Sequence, residues 1–221
     1  MQFSQIILRV AEETGLSITD DAVKLKAWIN GAYQQLSGFY NWPWLKTNFI
    51  IQTAADITTL HASVALATPT TVTLSAAPTP ATLSLANNYW IRFDDTSDDW
   101  YPITAHTANA TAVTIGNSYV DTAAALVTGD CTIRKVYYDV PSTVDRISDL
   151  RQSITKTEVI LTDSQTFDKS MPDPDTTGTP QYAYLTGMTT AGLWQLSFYP
   201  LPDEIINIQG RGYKLVTELS G

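Results

Sequence analysis

The sequence contains a single cysteine, Cys131, among its 221 residues. One thiol excludes an intramolecular disulfide framework and is typical of chains that fold in a reducing compartment. No apolar run approaches the roughly 18 to 20 residues that a membrane-spanning helix needs. The first residues, MQFSQIILRVAEETG, lack the basic segment of a signal peptide. We therefore expect a chain that is neither secreted nor embedded in a membrane.

Basic residues are scarce as well, since 13 Lys and Arg face 22 Asp and Glu, for a net charge of −9. Proteins that grip nucleic acid need clustered Lys and Arg to contact phosphates, so this balance excludes that class. The charge is uneven along the chain. Residues 1–47 hold four basic and four acidic residues, 48–137 hold three and seven, and 138–221 hold six and eleven. The net negative charge of the chain therefore comes entirely from the residues after 47.

The sequence also lacks every common catalytic motif. It has no nucleophile elbow, no phosphate-binding loop, no dinucleotide fingerprint and no zinc-ligand spacing. The two histidines, His61 and His106, lie far apart in polar, loop-like sequence. The glycine-rich piece GRG (210–212) precedes no helix and indicates a bulge or a close backbone approach. We predict no catalytic, cofactor-binding or metal-binding residues and expect that the protein is not an enzyme.

Two acidic clusters are exceptions to the low density of charge. The stretch FDDTSDDW (93–100) has no glycine and no distal glutamate at the spacing of a calcium loop, so it predicts a solvated hairpin tip. The stretch PDPD (172–175) predicts a stiff exposed loop. Their carboxylates include Asp95, Asp98 and Asp99 in the first stretch and Asp173 and Asp175 in the second. A cation-dependent hydrolase built on these carboxylates remains an alternative.

What the sequence does contain begins with a helical zone over residues 1–47. Gly15 ends a first helix, and Thr19 is a plausible N-cap of a second. One face of the second helix is apolar: Leu25, Trp28, Ile29, Ala32, Leu36 and Phe39. Gly31, inside this helix, predicts a close helix crossing. The helix stops at FYNWPWL (39–45), where Pro43 holds Trp42 in extended geometry and Trp44 follows.

From residue 48 onward the apolar period changes to two, which is typical of strands. Residues 48–137 predict an inserted β domain, a small barrel or sandwich, with strands at 71–75, 81–85, 89–93, 112–116 and 131–138. Residues 138–221 predict a C-terminal β region packing with the helices, with strands at 159–162, 182–187, 193–200 and 205–216. The last two read as a hairpin around LPDE, and Phe167 marks a short helix within a loop. The fold class is therefore α+β: an N-terminal helical hairpin, an inserted small β-barrel or β-sandwich, and a mostly antiparallel C-terminal region.

Three short segments, in this order along the chain, resemble the head-tail adaptor (neck or ring) proteins of tailed bacteriophages. The family has an aromatic D/N-W-P helix exit, then Y-x-L-P-x-D-f-x-R-i, then G-x-P-x-x-y before fyP-x-P-d…i-x-x-x-Y. The exit is matched by Asn41, Trp42 and Pro43, the second by Tyr138, Pro141, Val144, Asp145 and Arg146, and the third by Gly178, Pro180, Tyr182, Phe198, Tyr199, Pro200, Pro202, Asp203 and Tyr213. Val140 departs from the family, because it replaces the usual Leu before Pro141.

The resemblance implies a structural virion protein at the head-tail junction, assembled in the host bacterial cytoplasm. Its partners would be further copies in a ring, commonly of twelve, the portal protein above, and a downstream neck or tail protein below. DNA would pass through the channel without sequence-specific binding. The implied interface or structural residues are Trp28, Phe39, Trp42, Pro43, Trp44, Asp173, Asp175, Pro180, Tyr199 and Pro200. The two acidic stretches, with Asp95, Asp98 and Asp99 in the first, are the candidate docking loops. In many relatives a C-terminal tail reaches the portal, whereas this sequence ends at VTELSG, so a loop or the β insertion is the expected docking element.

A second function stays open on the sequence alone. A β-rich tail or fibre component could recognise host glycan through exposed tryptophans, of which the chain has six. Glycan binding would support this reading, and the adaptor reading predicts none.

Overall fold

The computed structural model describes residues 3–39, 42–65, 67–80, 83–94, 99–119, 129–170, 176–189 and 191–214. Two N-terminal helices are followed by mostly antiparallel sheets, one of them a closed barrel, which confirms the predicted α+β class. The chain forms two compact units. The first comprises Met1–Asn48, Ser142–Ser148 and Arg211–Gly221, and the second comprises Phe49–Pro141 and Asp149–Gly210.

The first unit begins with helix α1 (Phe3–Thr14) and helix α2 (Ala22–Phe39), followed by a 3₁₀ helix at Pro43–Leu45. Gly15 ends α1 as predicted, in the left-handed conformation at φ 69°, and the Leu16 amide bonds the Ala11 carbonyl at 3.2 Å. This is a Schellman end, which needs a residue without a Cβ penalty at that position. The helices enclose a small core of Phe3, Ile7, Ala11 and Leu25.

Two predictions about α2 are wrong. Thr19 is not its N-cap, because Ser17 Oγ accepts the Asp20 amide at 3.2 Å and forms a turn there, and the first helical bond runs from Leu25 to the Asp21 carbonyl. Gly31 marks no close crossing among the described residues, since a Cβ at this position would meet none of their atoms within 4 Å.

Thirteen strands are present in the described residues. They are β1 (Lys46–Gln52), β2 (Ile57–Val64), β3 (Thr71–Leu74), β4 (Tyr89–Phe93), β5 (Trp100–His106), β6 (Ala112–Ile115), β7 (Gly129–Lys135), β8 (Tyr138–Asp139), β9 (Val144–Gln152), β10 (Ile160–Thr162), β11 (Tyr182–Met188), β12 (Trp194–Tyr199) and β13 (Asn207–Lys214). A third helix, α3 (Ser164–Ser170), contains Phe167, as the sequence predicted.

The strands form three sheets. The order β2-β3-β6-β5-β4-β7 closes into an antiparallel barrel, β10-β11-β12-β8 makes a four-stranded sheet, and β1-β13-β9 makes a three-stranded one. Alternate residues of each barrel strand point inward, as in the buried–half-buried pattern of β4. Inside, Phe93 contacts Tyr119 and Tyr101 at ring-centroid distances of 5.0 and 5.7 Å. Closure removes exposed strand edges from this part of the chain.

Two strand predictions fail. Residues 83–85 of the predicted strand ATLSL are irregular, although Leu85 is fully buried against the barrel core, and 81–82 lie outside the described residues. The hairpin around LPDE does not form, because β12 and β13 belong to different sheets. Pro200 and Pro202 cannot donate ladder bonds. The Thr53 hydroxyl instead holds the segment after them, accepting from the Ile206 amide and donating to the Glu204 carbonyl, both at 2.7 Å.

The GRG stretch lies in β13, and the close backbone approach predicted there is confirmed. A Cβ at Gly210 would overlap the ring of Phe49, and one at Gly212 would overlap the carbonyl oxygen of Arg146. Glycine is required at 212, where the obstacle is backbone, whereas a side chain at 210 would have to displace the Phe49 ring.

Candidate assembly surface

The helix exit FYNWPWL folds back on α2. Trp42 is extended (φ −60°, ψ 130°), as expected before proline, and Pro43 opens the 3₁₀ helix. The Trp42 indole donates to the Leu36 carbonyl at 3.0 Å, near the end of α2. The Trp44 ring stacks on Tyr33 with centroids 6.0 Å apart and planes 9° from parallel. Two indoles therefore fix the exit against the helix, while Leu45 is buried.

This corner is less enclosed than a core corner would be. Trp44 is 53% exposed, although one face of its ring stacks on Tyr33, and Trp42 is half-buried. Phe39 is the last residue of α2; its side chain, with Tyr40 and Asn41, lies outside the described residues.

The structure divides the predicted apolar face of α2 into two rows. The inner row is buried or half-buried and contains Leu25 and Ile29 of the predicted face, followed by Tyr33 and Ser37. Trp28, Ala32 and Leu36, here called the outer ridge, follow the same spacing of four residues but face outward. Trp28 and Leu36 are each 58% exposed. Large exposed apolar side chains in a row are informative, whereas single ones are ordinary on protein surfaces.

The candidate docking loops are only partly described. Asp95 and Asp98 lie outside the described residues, as do Asp173 and Asp175. Asp99 is exposed immediately before β5, and β4 and β5 pair antiparallel with Arg92 opposite Trp100. The acidic stretch is therefore flanked by an antiparallel strand pair, although the sequence predicted only β4 of the two as a strand.

The three remaining predicted residues lie around the four-stranded sheet of the second unit. Pro180 is buried, and its carbonyl accepts a hydrogen bond from Nε2 of the Gln152 side chain at 3.1 Å. Tyr199 pairs with Tyr182 across β11 and β12 and meets the ring of Phe167 edge-on at 6.0 Å. Pro200 follows through a cis peptide bond. Its Cβ would lie 3.9 Å from a Cβ added at Gly178, which is ordinary van der Waals contact.

Residues from separate adaptor-like segments meet in pairs. In the first unit the Arg146 guanidinium lies 5.0 Å from the centre of the Tyr213 ring. In the second unit Tyr138 contacts Phe198 edge-to-face at 5.2 Å, and both side chains are fully buried. Within the third segment, the Gly178 backbone amide donates to the Leu201 carbonyl at 2.9 Å, and Leu201 lies between Pro200 and Pro202.

Sequence reasoning missed a buried ion pair on the outer side of the barrel. Asp56 accepts three hydrogen bonds from the Arg134 guanidinium: Nε donates to Oδ1 and Oδ2 at 3.1 and 3.0 Å, and Nη2 donates to Oδ2 at 2.8 Å. Trp100 covers the pair, with the guanidinium carbons of Arg134 and Arg92 at 4.7 and 5.1 Å from its ring. Arg134 Nη1 and Trp100 Nε1 have no hydrogen-bond acceptor among the described residues. The one available signal was an arginine at an outward position of a strand with few charges.

The reactive side chains occupy structural positions. His61 and His106 lie in β2 and β5 rather than in loops. His61 Nδ1 contacts the exposed Asp130 carboxylate at 2.5 Å. His106 accepts the Leu85 amide at Nδ1, which assigns its proton to Nε2, 3.1 Å from the Ala110 carbonyl. Burial raises the pKa of Cys131 to about 12, with the Asp94 and Asp130 carboxylates adding to the shift, so this thiol is a poor nucleophile.

Two further features carry no visible chemistry. Two hydrogen bonds from Thr166 lower the pKa of Asp163, which lies at the start of α3. A cleft of about 320 Å³ lies beside Gln152 and Tyr182, and Glu158 supplies the one carboxylate among the described residues that line it. No cluster of three metal-ligating side chains occurs in the described part of the chain.

The chain has no detected relatives in three comparisons. No protein-family model, no curated protein and no solved structure matches it. Among the helices of the described residues, none is long and apolar enough to cross a membrane.

Proposed function

We propose that this chain is a head-tail adaptor of a tailed bacteriophage. Copies would form a ring below the portal, extend the DNA channel and receive the next neck or tail protein. The role is structural, without catalysis or a cofactor, and the site of action is the virion neck after assembly in the host cytoplasm.

One observation carries the proposal: residues of the second and third adaptor-like segments, far apart in sequence, touch each other. Arg146 lies over Tyr213, and Tyr138 packs on Phe198. A chance resemblance of short segments gives no reason for their residues to pair in this way. The helix exit supports the same reading, because Trp42, Pro43 and Trp44 form a defined corner.

Charge and exposed aromatic area support the structural role. The negative charge after residue 47 would line a channel with carboxylates, which repel DNA and let it slide. Subunits of a ring meet through heterologous interfaces that must close by rotation. Such interfaces need exposed apolar side chains in the isolated subunit. Trp28, Leu36 and Trp44 are of that kind.

The glycan-binding alternative has less support. Trp90 and Trp100, the two tryptophans of the barrel, are half-buried, and two guanidinium groups lie against Trp100. The exposed tryptophans, Trp28 and Trp44, belong to the helical unit. A glycan array should therefore give no signal above that of the heat-denatured protein.

The direct test is to mix the purified protein with the portal of the same phage, size the mixture and image it. The proposal predicts a portal-bound ring. A chain that stays monomeric with the portal present and is absent from virion necks would rule the adaptor role out.

A further inference from the structure

One face of the three-stranded sheet β1-β13-β9 carries exposed basic side chains. Gln52 of β1 and Asn207 of β13 lie on this face, because the Gln52 side-chain amide donates to the Asn207 side-chain oxygen at 3.4 Å. Strand alternation then places Lys46 and Arg211 on the same face, and both are exposed. Residues at the positions between them, such as Phe49, are buried on the opposite face.

The strand register brings these two basic side chains together. The Phe49 ring occupies the space where a Cβ at Gly210 would lie, which together with the bond described above gives an antiparallel register. The same register, continued to the end of the strands, places Lys46 opposite Tyr213. Arg211 lies two residues before Tyr213, on the same face of β13.

The third strand adds a third cation. The Arg146 guanidinium of β9 lies 5.0 Å from the centre of the Tyr213 ring, and its side chain is 44% exposed. Lys46, Arg146 and Arg211, arranged around Tyr213, are here called the basic face. All four residues belong to the first unit. The basic face therefore takes one cation from each strand of the sheet.

The cations of the basic face lack carboxylate partners. Within the described residues neither Lys46 nor Arg211 forms an ion pair, and Arg146 meets only its chain neighbour Asp145, at 3.8 Å. This is unusual in a chain with 22 acidic and 13 basic residues. Elsewhere three basic side chains, Lys24, Arg134 and Arg151, each have a carboxylate oxygen within 3.1 Å. Three clustered cations without such partners form a local positive field that attracts anions.

We infer that the basic face binds an acidic segment of a partner protein. A guanidinium group presents a fork of N–H donors that matches the two oxygens of a carboxylate. The Tyr213 ring supports one such fork, that of Arg146, by a cation–π contact. This inference stands on charge and exposure alone and does not depend on the proposed adaptor role.

Nucleic acid suits the basic face less well than an acidic protein segment. Three cations neutralise about three phosphates, which is few for a nucleic-acid site. The net charge of −9 also repels a long polyanion, whose charge extends beyond the basic face. A short acidic segment gains the local attraction without placing further charge near the rest of the chain.

The test is fluorescence anisotropy of a labelled octaglutamate peptide, titrated with full-length protein. The chains are the wild type, the double variant Lys46→Gln with Arg211→Gln, and a matched control, Arg9→Gln with Lys26→Gln. The control removes the same charge from exposed positions of the helices. At about 0.1 M salt, where distant charges are screened, the wild type and the control should bind the peptide. The double variant should bind at least about tenfold more weakly, because two charged contacts are lost.

Four results would overturn the inference. The first is a wild type that does not bind octaglutamate, or that binds an octaserine peptide equally well. The second is a double variant that binds as tightly as the control while circular dichroism shows both folded. The third is a labelled DNA strand of equal charge that binds more tightly than the peptide and is lost in the double variant, which would assign the basic face to nucleic acid. The fourth is self-association of the wild type in sedimentation that the double variant abolishes, which would assign it to a second copy.

The outcomes separate this inference from the proposed function. The peptide titration uses neither portal nor virion, so its failure leaves the adaptor role standing. Absence of the chain from virion necks would remove the adaptor role and leave a positive peptide result standing.

Discussion

The barrel and the helical unit differ in the solvent exposure of their large aromatic side chains. In the barrel, Phe93 and Tyr101 are at most 4% exposed and point into a closed interior. In the helical unit, Trp28 and Trp44 are more than half exposed. A closed sheet can bury every inward side chain without outside help, whereas two helices cover only one row of a wider apolar face. The barrel is thus complete by itself, and the helices present a surface that a partner can complete.

The largest expected effect tests this contrast with two aromatic truncations. Phe93→Ala should lower the free energy of unfolding by about 3–5 kcal/mol, because it leaves a cavity among packed rings. Trp28→Ala should change it by about 0.5 kcal/mol or less in dilute protein, where the ridge faces water. Urea unfolding measures both, and the rate of Cys131 labelling by a thiol reagent reports opening of the barrel. Equal losses for the two variants would contradict the contrast.

The buried ion pair provides the next effect. Asp56→Ala should cost about 3 kcal/mol of stability, because Arg134 would keep a buried charge without its partner. The double variant Asp56→Ala with Arg134→Met should recover most of that loss, since the uncompensated charge is gone. Thermal unfolding of the single and double variants measures the recovery. A double variant no more stable than Asp56→Ala would show that the pair does not act through charge.

Two glycines, Gly210 in the β region and Gly31 in α2, test how closely each part of the chain packs around its backbone. Gly210→Ala should cost about 1–3 kcal/mol, because the new Cβ must displace the Phe49 ring. Gly31→Ala, with open space around it, should stabilise α2 by up to about 1 kcal/mol. Urea midpoints of the two variants should therefore move in opposite directions. A destabilising Gly31→Ala would reveal a contact at that face of α2.

The smallest effect concerns the helix exit. Trp42→Phe removes the indole donor to the Leu36 carbonyl and should cost about 0.5–1.5 kcal/mol. Leu36→Ala is the control, because it keeps the backbone carbonyl and the indole bond. Loss of helical circular dichroism on heating should begin earlier in Trp42→Phe. An unchanged unfolding curve would mean that the bond contributes nothing to the end of α2.

Much of the fold follows from local pattern. The apolar pattern predicted β4, β6, β11 and β12 nearly to the residue. Gly15 ends α1, and Pro43 follows the end of α2, as expected. In β4 and β6 every second residue is buried, so the apolar alternation in the sequence follows directly from the one buried face of each strand.

The strands that the sequence did not predict lack a regular apolar alternation. Strand β5 contains Pro102, and β9 carries charges through VDRISDLRQ; both read as turn or surface sequence. The separation of β12 from β13 depends on Thr53, about 150 residues away, which no local pattern contains. The exposure of Trp28 was equally invisible, since periodicity places a residue on an apolar face without telling which half of that face the chain covers.

Cryo-electron microscopy of intact particle necks tests the central claim most directly. The proposal predicts a closed ring of this chain against the portal. A neck that lacks the chain would contradict it.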